Sequence, residues 1–117
     1  DQSISKTAFL KDNGGAIPAN IIVSSNTNSN DSYLMKSREY GLTPHPARFP
    51  YDLPDFFIKL CTNKKNDLIF DPFAGGCLTG FIAESLQRKW IWSEINEDYL
   101  KGAKGRFNTR YQAKANL

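Results

Sequence analysis

The sequence holds one histidine, one methionine and two cysteines among 117 residues. Cys61 and Cys77 stand apart without CxxC spacing, so neither a zinc site nor a disulfide framework follows, and free thiols fit a reducing cytoplasm. No apolar run approaches the roughly 20 residues that span a bilayer, so no membrane contact is expected. The opening DQSISKTAFL is no signal peptide, and the chain starts on Asp1 rather than Met, as an excised or cleaved piece of a longer protein would. Charge of one sign is not in large excess: 15 Lys and Arg against 12 Asp and Glu leave +3, compatible with nucleic acid without pointing to it. The patterns GxGxxG and GxxxxGKS/T are both missing, which removes the main support for a dinucleotide or phosphate-loop site. What is present, 40% hydrophobic and 23% charged residues, suffices for one small globular core.

Residues 1–19 are polar, with Gly14-Gly15 and Pro18, and read as a loop or extended arm; residues 20–117 read as one domain. NIIVSS (20–25) is short and β-branched, which predicts a strand, and SSNTNSNDS after it predicts a turn. Asp31 or Ser32 can cap a helix running to about Tyr40 and ended by Gly41. Pro44, Pro46 and Pro50 keep the next segment extended. Asp52 can cap a second helix, with Pro54 in its first turn and Phe56, Phe57, Leu60 and Cys61 as its apolar side. Leu68, Ile69 and Phe70 form a continuous apolar run of the kind found in buried parallel strands. Leu78, Phe81, Ile82 and Leu86 recur at helical spacing, and Trp90-Ile91-Trp92 opens a second buried strand ending near Glu94. Asn96 can cap a last helix that buries Tyr99, Leu100, Ala103 and Phe107 and is weakened by Gly102 and Gly105. The order predicts an α/β fold, a right-handed βαβ unit with flanking helices. Two parallel strands do not make a stable doubly wound sheet, so the sheet is incomplete in this chain.

The chemistry gathers in IFDPFAGGCLTGFIAESL (69–86). Asp71 ends the first strand, and ligands of open α/β sheets bind beyond the carboxyl ends of strands. Gly75 and Gly76 permit positive φ and let a ligand approach backbone N–H groups. Glu94 ends the next strand 23 positions later, where an acid accepts hydrogen bonds from ribose hydroxyls. Asp71 would repel a phosphate and suits a cationic group such as an amino acid's ammonium. A nucleoside joined to an amino acid without phosphate describes S-adenosylmethionine. The residues alone leave a second reading open, in which Asp71 caps its own turn and Glu94 is merely surface.

DPFAGG followed by WIWSEINEDYLKGAKGRF closely resembles the β-class DNA amino-methyltransferases, whose members usually read DPFxGSGTT and then GxExxxxY. HPARFPYDLPDFFIKL resembles the segment leading into that family's cofactor turn, and GGAIPANIIVSSNTNSNDSYL its upstream stretch, particularly in the cytosine-N4 branch. The likeness runs from about Gly14 to Phe107. It implies a partial Rossmann-like methyltransferase fold with S-adenosylmethionine as cofactor. It also implies that Asp71, Pro72, Phe73 and Gly75 form the cofactor turn and that Glu94 takes the ribose hydroxyls. His45, Pro46 and Phe49 would belong to the segment lining the methionine side, and Asn26 and Thr27 match a polar pair near the cofactor. Gly76, Cys77 and Leu78 depart from the small and hydroxylated residues of the pattern, leaving Thr79 to supply any hydroxyl contact there. His45 reads as structural or cofactor-adjacent, Trp90 and Trp92 as core or interface rather than a base-stacking platform, and Arg48 as a basic residue beside the site. Lys101, Lys104, Arg106, Arg110 and Lys114 read as a solvated helix face and tail.

In that family the exocyclic amine of a base flipped out of double-stranded DNA is methylated. The amine is a poor nucleophile because its lone pair is delocalised, and the family answers with an Asp/Asn/Ser-Pro-Pro-Tyr/Phe motif. No Pro-Pro dipeptide occurs here. The resemblance therefore implies the cofactor-binding C-terminal part of an amino-methyltransferase, without catalytic residues of its own. The missing N-terminal catalytic part or a partner subunit would supply them, and a homo-oligomer is possible. Cytosine N4 is the preferred target and adenine N6 the runner-up; a non-catalytic DNA-binding or regulatory remnant of the same fold is the reading from a different class.

Overall fold

Local sequence accounts for most element boundaries in the structure, a computed structural model that describes residues 20–25 and 31–107. Asp31 is the N-cap of α1 (Ser32–Glu39), its carboxylate accepting from the Tyr33 N–H at 2.8 Å, and Gly41 follows the C-cap at φ +62°. Asn96 caps α4 (Glu97–Ala103) by accepting from the Asp98 and Tyr99 N–H groups, with Glu97 and Asp98 at the positive end of the helix. Between them lie α2 (Asp52–Cys61), β1 (Leu68–Asp71), α3 (Leu78–Ser85) and β2 (Lys89–Trp92). The two strands pair in parallel from Leu68 opposite Lys89 to Asp71 opposite Trp92, with α3 as the crossover.

The core has two parts. Ile58 of α2 meets Leu78, Ile82 and Ala83 of α3, with Ile69 and Trp90 from the sheet packed against them. Ala74, Cys77 and Ala103 form the second part under Trp90, Trp92 and Phe107. The two tryptophans thus pack against the core from one side of the strand, the first of the two settings, core or interface, that their alternation allows. Trp90 stacks on Phe107 at 4.8 Å between ring centroids.

Four expectations need correction. Residues 20–25 form no strand: they pair with nothing in the sheet, and Ile21 and Val23 are exposed. A β-branched segment needs a ladder to join, and none stands beside it among the described residues. Asp52 is not the cap of α2: the N-cap is Tyr51 in helical geometry, and the Asp52 carboxylate instead accepts from the Ser24 hydroxyl. The apolar side of α2 is turned outward, with Phe57, Leu60 and Cys61 exposed while Pro54 and Ile58 are buried. Finally, the strands are covered on one face only. Leu68, Phe70 and Ile91 are 58%, 63% and 54% exposed, and together they make a bare apolar face on the sheet. The arm predicted over residues 1–19 lies outside the described residues.

Candidate functional site

The FDPFAGG turn is shaped from below by the end of β2. Ser93 donates its N–H to the Asp71 carbonyl at 3.0 Å and its hydroxyl to the Pro72 carbonyl at 2.8 Å, and its own carbonyl accepts from Ala74 N–H at 3.1 Å. Nothing in the spacing of acids and glycines singles this serine out. Asp71 bends the chain locally as well, one carboxylate oxygen accepting from Phe73 N–H at 3.0 Å. Its capping role is therefore real. The other oxygen accepts no hydrogen bond among the described residues.

Gly75 sits at φ +51°, and its N–H donates to Glu94 Oε2 at 2.8 Å. Glu94 Oε1 accepts from Asn96 N–H at 2.9 Å. The carboxylate thus ties the glycine turn to the start of α4, and each oxygen retains a further acceptor position for a hydroxyl. Glu94 is half-buried rather than merely surface. Gly76 does not take positive φ; it packs closely on Tyr33, where a Cβ would come within 3.1 Å of the ring and press on it. The second left-handed residue is Cys77, at φ +53°. Cys77 is fully buried, and that burial pushes its thiol up to about 12, so it stays protonated and inert.

His45 reaches the turn from the other side. Its ring lies 3.1 Å from where a Cβ on Gly75 would stand, and it meets the Tyr99 ring edge-on at 4.8 Å. Its backbone N–H donates to the Tyr33 hydroxyl at 2.7 Å, and its Nδ1 is engaged by Ala47, so its hydrogen bonds serve the loop. Desolvation raises the Tyr33 phenol above its ordinary value.

Asp71, Gly75, Glu94 and His45 are thereby brought to one turn. Pro72 and Phe73 are exposed on it, Phe73 at 89%. Pro46 is also exposed, on the loop after His45. Phe49 and Thr79 line a separate apolar groove of about 340 Å³ with Leu53, Pro54, Phe57 and Ile69. Asn26 and Thr27 lie outside the described residues, as do Arg110 and Lys114. Arg48 stands 3.9 Å from Asp31. The solvated reading of the last helix fails at Arg106, which is 1% exposed and donates through both terminal nitrogens to Asp31 at 2.7 and 2.8 Å. A basic residue directly after a buried Gly-x-x-Gly pair gives no local sign of this. Among the described residues no group of three or more His, Cys, Asp or Glu side chains gathers as metal ligands, and no helix is long and apolar enough to cross a membrane.

A family model described as DNA methylase matches residues 7–105. The chain belongs to the DNA methylase family. Its curated relatives include the type II methyltransferase M.PvuII of Proteus hauseri, 45% identical over 100 residues that cover 86% of this chain and 30% of that protein. They also include the DNA adenine methyltransferase YhdJ of Escherichia coli (strain K12), 39% identical over 69 residues that cover 59% of this chain and 22% of that protein. Among solved structures, the PvuII DNA methyltransferase (cytosine-N4-specific) superposes with a TM-score of 0.71 at 43% identity, covering 78% of this chain and 32% of the other. The chain therefore spans about 30% of the length of M.PvuII. The incomplete sheet expected from the sequence agrees with that share. In the DPFxGSGTT pattern that the turn resembles, the second glycine aligns with Cys77, which takes left-handed geometry here without being glycine.

Proposed function

We propose that this chain is the S-adenosylmethionine-binding part of a DNA amino-methyltransferase that acts on cytosine N4 in double-stranded DNA. The observation that carries the reading is the Glu94 carboxylate held on the Gly75 N–H at 2.8 Å, beside a glycine packed under the His45 ring. That carboxylate has acceptor positions left for the two ribose hydroxyls. The Asp71 oxygen that accepts no hydrogen bond among the described residues suits the ammonium of the methionine moiety, and the exposed ring of Phe73 offers an apolar surface beside it. The cofactor supplies an activated methyl group; these residues bind and orient it. The choice of cytosine N4 is supported by the likeness to the PvuII enzyme, named as cytosine-N4-specific. A second reading, adenine N6, is favoured by the match to YhdJ, named as an adenine methyltransferase. The left-handed residues at 75 and 77 support a cofactor-binding turn over the remnant reading, despite the departures at Gly76, Cys77 and Leu78.

The base pocket and the Pro-Pro motif would come from the remaining part of the enzyme, docked on the bare sheet face of Leu68, Phe70 and Ile91. Alone, the chain is expected to transfer no methyl group to DNA and to bind S-adenosylmethionine weakly. A methylation assay with the isolated chain, tritiated cofactor and double-stranded DNA tests this; robust incorporation into DNA would sink it.

A further inference from the structure

Arg106 lies 30 residues beyond the cofactor turn, yet its Nε donates to the Gly76 carbonyl. Its terminal nitrogens grip both oxygens of Asp31 at 2.7 and 2.8 Å, and Nη1 also lies 3.3 Å from the Tyr51 hydroxyl. The guanidinium lies 5.3 Å from the centre of the Tyr33 ring, the ring against which Gly76 packs. Asp31 in turn receives the Tyr33 N–H, and the Tyr33 hydroxyl receives the His45 N–H. One buried side chain therefore connects the start of α1, the loop before α2, the glycine turn and the end of α4. Burying a charge is unfavourable unless it is paired and hydrogen-bonded, and this pair is bidentate. A lysine could not replace it, because an ammonium is a point charge and cannot serve a carboxylate in a planar fork while holding a carbonyl from Nε.

We infer that Arg106, acting with Asp31 as one unit, is a positioning residue of the cofactor turn. It fixes the Gly76 carbonyl and so keeps the neighbouring Gly75 N–H on Glu94, without itself touching the ligand. This rests on the reading of the turn as a site for S-adenosylmethionine. The test uses the full-length protein with Arg106→Lys, Asp31→Asn and the double variant. Three quantities are followed: S-adenosylmethionine affinity by calorimetry, hydrogen exchange of the 71–78 segment by mass spectrometry without cofactor, and thermal unfolding. Arg106→Lys is expected to fold, to exchange faster at the turn and to bind the cofactor about tenfold or more weakly. The double variant should be little worse than the more damaged single one, as for residues that act together. Folded variants with unchanged affinity and unchanged exchange at the turn would overturn the inference, as would a loss confined to thermal stability. If Arg106→Lys fails to fold, Asp31→Asn, which keeps a hydrogen-bonding amide in place, decides by the same two readouts. A wild-type protein that binds no S-adenosylmethionine would overturn the cofactor reading instead. Faster exchange in the variants would then still support the positioning role, and unchanged exchange would overturn both.

Discussion

Cys77 holds a backbone geometry that its side chain does not favour. At φ +53° a residue with a Cβ is strained by roughly 1–2 kcal/mol, while the burial of its sulfur works in the opposite direction. The sulfur fills space over Gly80, where a Cβ would come within 2.7 Å of it. Cys77→Ala keeps the strain and loses the sulfur, so it should cost about 1 kcal/mol. Cys77→Gly relieves the strain, gives up one more carbon, and adds roughly 0.5–1 kcal/mol of unfolded-chain entropy. The three changes nearly offset, so the glycine variant is expected to match the alanine variant within about 1 kcal/mol. Urea denaturation of both checks this; a glycine variant less stable by about 2 kcal/mol or more would mean that position 77 carries no backbone strain.

At the scale of elements, the glycines of the last helix show how a local weakness serves packing. Gly102 faces α1 so closely that a Cβ would stand 2.5 Å from Ser37 Oγ and 2.8 Å from the Tyr33 ring. Gly102→Ala raises helix propensity by about 1 kcal/mol. The overlap with α1 should outweigh that gain, giving a net loss of about 1–2 kcal/mol in unfolding free energy. A stabilised Gly102→Ala protein in thermal unfolding would show that α1 and α4 do not meet as described. The same contrast separates what was legible in the sequence from what was not. The caps at Asp31 and Asn96, the βαβ order, and the placing of Asp71, Gly75 and Glu94 at one turn all depend on neighbours within a few residues or on strand ends. The failure of residues 20–25 to form a strand and the outward turn of Phe57 and Leu60 depend on what stands opposite them. Burial of Arg106 depends on Asp31, and no spacing rule links the two.

At the scale of the whole molecule, the bare face of Leu68, Phe70 and Ile91 is an exposed apolar patch on a short two-stranded sheet. Such patches drive association when left uncovered. The isolated chain is therefore expected to self-associate as its concentration rises, and Phe70→Lys with Ile91→Lys should suppress this while leaving the far-ultraviolet dichroism unchanged. Light scattering of both forms provides the check; equal association by the double variant would mean that a different surface is responsible. The Asp31–Arg106 pair has another consequence, one of timing. Its members lie 75 residues apart. Chains emerge from the ribosome at roughly 5–20 residues per second, so Asp31 waits several seconds for its partner to be synthesised. The segment bearing DPFAGG is made well before then, but its Gly76 carbonyl has no guanidinium to meet until Arg106 appears. Residues at the front of the site can thus complete their contacts only after most of the described chain has been translated.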